Sequence, residues 1–311
     1  MNILFFGSSD YSYECLKAIM TKHNVIGIIT QPDKPQRNHK LEPTFLKAKM
    51  LNSNIPIYQP INIKNEYNLI KELNPDLIVT AAYGQILSED IINIPKYKSI
   101  NFHASLLPKY KGASPIRQVI IDGEEKTGIT SIYMDKTIDT GNIILQKEIV
   151  IDKDETFDSL YNKFLNILPE ITLDTLEEVL RFNKGIPQTL NNNSYTSKNN
   201  LKETELDWTK SCLEIDRFIR AYYSSPATFF FLGNKKIKVY KAKPIDVYHE
   251  NPIGELIRID KDFIRISCSK GYIDIYELQI PGKRIISAKD FINGNKKWLQ
   301  QLMYKPDAFD F

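Results

Sequence analysis

Over the first 150 residues, short apolar runs alternate with longer amphipathic ones. Ile3–Phe6, Val25–Thr30, Ile55–Tyr58, Leu77–Ala81, Ser99–His103, Thr130–Met134 and Ile143–Ile149 have the length and composition of strands. Helical spacing lies between several of them, at about 11–22, 44–52, 64–73 and 113–121. This alternation predicts an α/β domain on a doubly wound, mostly parallel sheet. Ligands of such sheets sit at the carboxyl ends of the strands, where Gly7, Tyr83-Gly84 and the 103–112 turn would gather.

A long helix is expected from Thr156 to Phe182, with Leu160, Phe164, Leu168, Ile171 and Leu176 apolar and Pro169 expected to kink or split it. The polar, turn-rich stretch from Asn191 to Asn200 reads as an interdomain linker. Beyond Trp208 a helix over about 211–222 precedes five strand-like segments: Ala227–Leu232, Lys235–Tyr240, Ile253–Ile259, Phe263–Ser267 and Gly271–Gln279. Gly233-Asn234 is a hairpin signal between the first two. Several short strands in so small a region suggest a small barrel. The expected organisation is a catalytic domain over 1–189, a linker over 190–206 and a β-rich domain over 207–311.

Charge adds a little. Residues 207–311 hold 18 Lys and Arg against 13 Asp and Glu, leaving 23 against 25 for residues 1–206. A basic C-terminal part is compatible with contact to a phosphate backbone. Cys15, Cys212 and Cys268 are widely spaced and form no C-x-x-C pair, which argues against a disulfide framework and against a zinc site. They read as small buried hydrophobes. No run approaches the roughly 20 apolar residues of a membrane span. Asn2-Ile3-Leu4-Phe5-Phe6 is too short for a signal peptide and has no basic segment before it. A cytoplasmic location without membrane contact is expected.

The candidate chemistry lies at 101–108 and 139–141. Side chains alternate along a strand, so Asn101 and His103 share a face while Phe102 enters the core. An amide can donate to a developing oxyanion, and an imidazole can move a proton near neutral pH. A later carboxylate, Asp139 of Asp139-Thr140-Gly141, can orient the imidazole or a water. The set contains no protein nucleophile, so it suits acyl transfer to an amine that the substrate carries. Of the four histidines (His23, His39, His103 and His249), only His103 ends a clear strand pattern and precedes a Leu-Leu-Pro turn. Gly7-Ser8-Ser9-Asp10 lacks the second and third glycines of a dinucleotide fingerprint, which argues against nicotinamide binding. Ser105 lacks the G-x-S-x-G surroundings of a nucleophile.

N-F-H-A-S-L-L-P-K-Y-K-G-A-S-P-I at 101–116, T-G-I-T-S-I-Y-M-D at 127–135, I-D-T-G-N-I-I-L-Q at 138–146 and G-K-R-I-I-S-A-K-D-F-I-N-G at 282–294 resemble the methionyl-tRNA formyltransferase family. The Asn-x-His pair with its later Asp is shared by folate-dependent formyltransferases in general, so it marks chemistry rather than acceptor. The resemblance implies a Rossmann-like formyltransferase domain and an OB-like C-terminal barrel. It also implies 10-formyltetrahydrofolate as co-substrate, initiator methionyl-tRNA as partner, no metal, and a monomer. Asn101, His103 and Asp139 match the family's catalytic residues. Ser105, Leu106, Leu107 and Pro108, with Tyr83, Gly84 and Gln85, match its folate-binding segments. Lys34, Arg37 and Lys40 lie in the loop that contacts tRNA in the family, and Arg37 aligns with its key arginine. The chain departs there: Gln36 and Asn38 replace the usual glycines, and the loop is one residue shorter. The nearest alternative acceptor is an amino-sugar nucleotide. A catalytically idle RNA-binding protein is the alternative from another class, and the intact Asn101, His103 and Asp139 argue against it.

Overall fold

A computed structural model of the chain describes residues 1–35, 41–189, 193–197 and 204–304. Arg37 and Lys40, two of the three expected tRNA contacts, lie outside the described residues. The chain forms two compact units. One comprises Met1–Pro115, Lys126–Val150 and Tyr161–Lys198; the other comprises Ile116–Glu125, Ile151–Leu160 and Asn199–Phe311.

The elements begin with β1 (Asn2–Gly7), α1 (Asp10–Met20), β2 (Asn24–Ile29), β3 (Lys34–Pro35), β4 (Leu41–Glu42), α2 (Phe45–Met50) and β5 (Ile57–Tyr58). They continue through α3 (Tyr67–Leu73), β6 (Leu77–Ala81), α4 (Glu89–Ile92), β7 (Ser99–His103), β8 (Lys111–Gly112) and α5 (Pro115–Asp122). β9 (Lys126–Tyr133), β10 (Ile143–Val150), α6 (Phe157–Phe182) and β11 (Tyr195–Thr196) follow.

Among the described residues the first unit carries a seven-stranded sheet in the order β10-β9-β7-β6-β1-β2-β5. The pairs from β7 through β6, β1 and β2 to β5 are parallel, whereas β7 with β9 and β9 with β10 are antiparallel. All seven expected strands are present. β1 and β6 read as continuous apolar runs because they are covered on both faces: Ile3, Leu4, Phe5, Phe6, Leu77, Ile78 and Val79 are all fully buried. Gly7 turns the chain into α1, which Ser9 caps by a reciprocal box with Ser12. The carboxyl ends of β1, β6 and β7 share one edge of the sheet, which places the loops after Gly7, Ala81 and His103 together there.

The helix α6 runs through Pro169 as one element of 26 residues rather than splitting. Proline deprives the Leu165 carbonyl of its helical donor. Burial of Leu160, Phe164, Leu168, Ile171, Leu176 and Val179 along one face holds the helix together across that gap.

In the second unit, α7 (Cys212–Ala221) precedes β12 (Thr228–Leu232), β13 (Lys235–Ile245), β14 (Leu256–Ile259), β15 (Ile264–Ser267), β16 (Tyr272–Gln279), β17 (Ile286–Ser287) and α8 (Ala288–Leu302). The strands form one antiparallel sheet, ordered β12-β13-β16-β15-β14 with β17 on β16. Gly233 makes the β12–β13 turn at φ +56°, as the Gly-Asn signal requires. Arg117 of α5 belongs to this unit. Its guanidinium lies over the Phe157 and Tyr222 rings and donates to the Ala221 and Ser225 carbonyls. The three cysteines are free and buried. Among the described residues, no helix is long and apolar enough to cross a membrane.

Candidate active site

Asn101 and His103 sit at the carboxyl end of β7, on one face, with Phe102 buried on the other. Register places Thr80 of β6 beside Asn101. The Thr80 hydroxyl lies 2.8 Å from Asn101 Oδ1 and can donate to it, which turns Asn101 Nδ2 toward Asp139. Nδ2 stands 3.5 Å from Asp139 Oδ1, and His103 Nδ1 stands 3.4 Å from Asp139 Oδ2. The sequence separates Asp139 from His103 by 36 positions, yet the fold brings all three side chains together.

The other imidazole nitrogen is fixed. His103 Nε2 is 2.8 Å from the Tyr110 carbonyl oxygen. A carbonyl only accepts, so Nε2 carries a proton and Nδ1 is the position left to exchange one. Both contacts to Asp139 exceed the usual length of a strong hydrogen bond. Asn101 Nδ2 and His103 Nδ1 therefore converge on the carboxylate without being tightly committed to it.

Asp139 is held from behind. Gly112 N–H donates to its Oδ2 at 2.9 Å, and Gln188 Nε2 donates to the carbonyls of Asp139 and Gly141 at 2.9 and 2.8 Å. Asp139 has φ +55°, a left-handed conformation that Asp tolerates better than most residues. Gly141 is required by crowding, because a Cβ there would lie 1.7 Å from the Tyr133 carbonyl oxygen of β9. The Lys111 side chain lies in the same wall. Burial lowers the pKa of its ammonium, and the Asp139 carboxylate acts in the opposite direction.

The turn after His103 is pinned. Thr130 Oγ1 lies 2.6 Å from the Ser105 carbonyl and 3.1 Å from Leu107 N, and Gln146 Nε2 donates to the Leu107 carbonyl at 2.8 Å. Ser105 is buried, and its hydroxyl closes the turn onto the Lys109 carbonyl at 2.7 Å, a structural use that leaves no nucleophile. Leu107 is also buried, while Leu106 and Pro108 are partly exposed.

On the neighbouring β6 side, the Tyr83 ring is buried edge-on to Phe6, and its carbonyl accepts from Gln31 Nε2 at 3.0 Å. Burial pushes the Tyr83 phenol up to about 12. Gly84 leaves the backbone bare at φ +91°; a Cβ there would meet only the Gln31 amide, at 3.6 Å. Gln85 is drawn into the loop by Ile63 N at 2.9 Å, and Ile86 beside it is an exposed apolar side chain. These two loops can offer a flat ligand backbone groups and apolar surface.

Lys34 is exposed on β3, opposite Glu42 of β4. The base of its loop is anchored where Lys47 Nζ donates to Asp33 at 2.8 Å and Gln59 Nε2 donates to Asp33 at 2.7 Å. Sequence reasoning missed Thr80, Gly112, Gln188 and the Tyr110 carbonyl. None of these had a signal of its own in the sequence, since Thr80 reaches Asn101 only through the pairing of β6 with β7.

Known families match most of the chain. The pattern of the family described as Formyl transferase matches residues 1–176, and that of Formyl transferase, C-terminal domain, matches residues 200–296. The methionyl-tRNA formyltransferase of Clostridioides difficile (strain 630) is 38% identical, covering 95% of this chain and 97% of its own. That of Alkaliphilus oremlandii (strain OhILAs) is 36% identical with the same coverage. Among solved structures, WlaRD, a sugar 3N-formyl transferase crystallised with dTDP and 5-N-formyl-THF, superposes with a TM-score of 0.67 at 24% identity. That match covers 91% of this chain and 99% of the other, and it shows the fold. The chain belongs to the formyl transferase family and, within it, to the methionyl-tRNA formyltransferases.

Proposed function

We propose that the protein transfers the formyl group of 10-formyltetrahydrofolate to the amino group of methionine on initiator tRNA, for translation initiation. The observation that carries the formyl-transfer chemistry is the convergence of Asn101 Nδ2 and His103 Nδ1 on Asp139 at 3.5 and 3.4 Å, at the carboxyl edge of the sheet. The acceptor rests on the likeness to methionyl-tRNA formyltransferases along nearly the whole chain. The folate supplies an activated formyl carbon when bound. Asn101 Nδ2 and protonated His103 Nδ1 donate to the formyl oxygen as negative charge gathers there, replacing their loose contacts with Asp139. The Asp139 carboxylate accepts the proton that the attacking amine sheds. The Tyr110 carbonyl keeps the other imidazole proton in place, so His103 Nδ1 gives its proton to the leaving nitrogen. Asp139 passes the proton gained from the amine back to Nδ1, 3.4 Å away, to restore the starting state.

Ser105, Leu106, Leu107 and Pro108 line the folate site with Tyr83, Gly84 and Gln85, mainly through backbone. Catalytic, linker and tRNA-binding segments run 1–189, 190–206 and 207–311, the last an OB-like barrel. The enzyme acts in the cytoplasm as a monomer. Lys34, Arg37 and Lys40 meet the acceptor end of the tRNA.

The reading is tested by supplying 10-formyltetrahydrofolate and charged initiator tRNA and following formylmethionyl-tRNA; absence of product refutes it. For the loop, Arg37→Ala should lower the formylation rate while leaving folate affinity unchanged. If Arg37 contacts a phosphate, the salt slope of tRNA binding should fall by about one unit. An unchanged formylation rate in Arg37→Ala would remove this loop from acceptor positioning.

A further inference from the structure

The polar stretch that joins the two units in sequence contains β11, and β11 is the sole strand paired with β8 among the described residues. The backbone of 194–196 runs along the 108–113 wall. Tyr110 N–H donates to Ser194 Oγ at 2.8 Å, Lys111 N–H donates to the Ser194 carbonyl at 2.9 Å, and Ala113 N–H donates to the Thr196 carbonyl at 3.3 Å. The Thr196 hydroxyl faces the Lys111 carbonyl at 3.1 Å and that of Ala113. It has one proton to share between them.

This wall carries two of the groups that fix the reacting centre: the Tyr110 carbonyl on His103 Nε2 and the Gly112 N–H on Asp139 Oδ2. It is also an unfavourable conformation to hold. Tyr110, Gly112 and Ser114 have φ of +59°, +90° and +62°. Non-glycine residues persist in that region only where their surroundings enforce it. The approach is close: a Cβ on Gly112 would lie 2.7 Å from the Thr196 carbonyl oxygen. A two-residue strand with left-handed residues on both sides does not maintain itself, and β11 supplies its partners.

We infer that Ser194 and Thr196 are positioning residues for formyl transfer: their hydroxyls hold the 110–113 wall in the shape that orients His103 and Asp139. The inference rests on the reading of Asn101, His103 and Asp139 as the reacting centre. It gives the joining stretch a part in catalysis as well as in connection.

The test uses the full-length protein. In Ser194→Ala/Thr196→Val, kcat should fall by about ten- to a hundredfold, the scale of a small misplacement of reacting groups. KM for charged tRNA and for folate should stay within about twofold of the parent, because no ground-state contact is removed. Thr196→Ser retains the hydroxyl and should keep the parent rate where Thr196→Val loses it. Parent-like kcat in the double variant overturns the inference. So does equal impairment of Thr196→Ser, which keeps the hydroxyl, and Thr196→Val, which loses it, since that would assign the effect to packing at this position and not to the hydroxyl. Should the double variant not fold, Ser194→Ala alone, which removes one acceptor, is read by the same split of kcat from KM. His103→Ala in the same assay separates the two claims. If His103→Ala keeps the parent rate, the reacting centre is misassigned. If His103→Ala is inactive while the linker variants match the parent, only this inference fails.

Discussion

His103→Ala should lower turnover by about two to four orders of magnitude, the usual contribution of a positioned proton-transfer group. The argument starts from the two ring nitrogens. Nε2 is tied to the Tyr110 carbonyl at 2.8 Å, so catalysis depends on Nδ1, which stands 3.4 Å from Asp139 Oδ2. Alanine removes the donor to the formyl oxygen and the proton for the leaving nitrogen together. Asn101→Ala removes one oxyanion donor, worth about 2.7–4 kcal/mol of barrier in comparable sites. Asp139→Ala removes the proton acceptor and releases the contacts to Asn101, His103 and Gly112. All three variants should fold, since they sit at the sheet edge and leave the apolar interior intact. Losing the bond from His103 to Tyr110 should cost only about 1 kcal/mol of stability. The effects should not add, because the three groups act on the same charge redistribution. Turnover measured beside thermal unfolding decides the matter: a folded His103→Ala with the parent rate would remove the mechanism.

Gly141→Ala should be the most damaging single methyl added near the site. Its Cβ would lie 1.7 Å from the Tyr133 carbonyl oxygen, a backbone atom that cannot rotate away. Either the 139–141 turn or β9 must shift. Overpacking of this kind costs about 1–3 kcal/mol, occasionally more. The turn is the softer partner, so Asp139 should move with it and the two Gln188 bonds to Asp139 and Gly141 should loosen. A displacement of about 1 Å at a reacting group can cost roughly a hundredfold in rate. Activity should therefore fall further than stability does. Urea unfolding and turnover, both at a temperature where the variant is folded, measure the two effects. Unchanged values for both would show that the turn does not position Asp139.

The strands of the first unit were legible because burial on both faces leaves a plain apolar run, as in Leu77-Ile78-Val79. For the seven strands of the main sheet, errors were confined to the ends; β2, for instance, begins at Asn24 and stops at Ile29. The two-residue strands β3, β4, β8 and β11 were not expected. Helix α8 was not expected. Gly294 and Asn295, both poor helix formers, lie in its middle, and Asn295 leaves helical geometry at φ −132°. Burial of Phe291 and Leu299 carries the helix across that break. At Pro169 the helix runs on where splitting was one of two expected outcomes, because tertiary packing overrode a strong local breaker. Strand β11 gave no apolar signal because its partners are backbone groups and hydroxyls. The site divides in the same way. Asn101, His103 and Asp139 were readable as side-chain chemistry at a strand end and a turn. The Tyr110 carbonyl and the Gly112 N–H are main-chain groups that every residue carries, so no residue type marks them. Thr80 and Gln188 needed the strand register and the return of the chain, which only the fold supplies.

The central claim is formyl transfer to methionine on initiator tRNA, and acceptor choice tests it most directly. Single-turnover formyl transfer from 10-formyltetrahydrofolate should be followed with the full-length protein in excess over either charged initiator tRNA or an amino-sugar nucleotide. The account predicts rapid formylation of the methionyl-tRNA and none of the sugar nucleotide. Formylation of the sugar nucleotide with the tRNA left unmodified would contradict it.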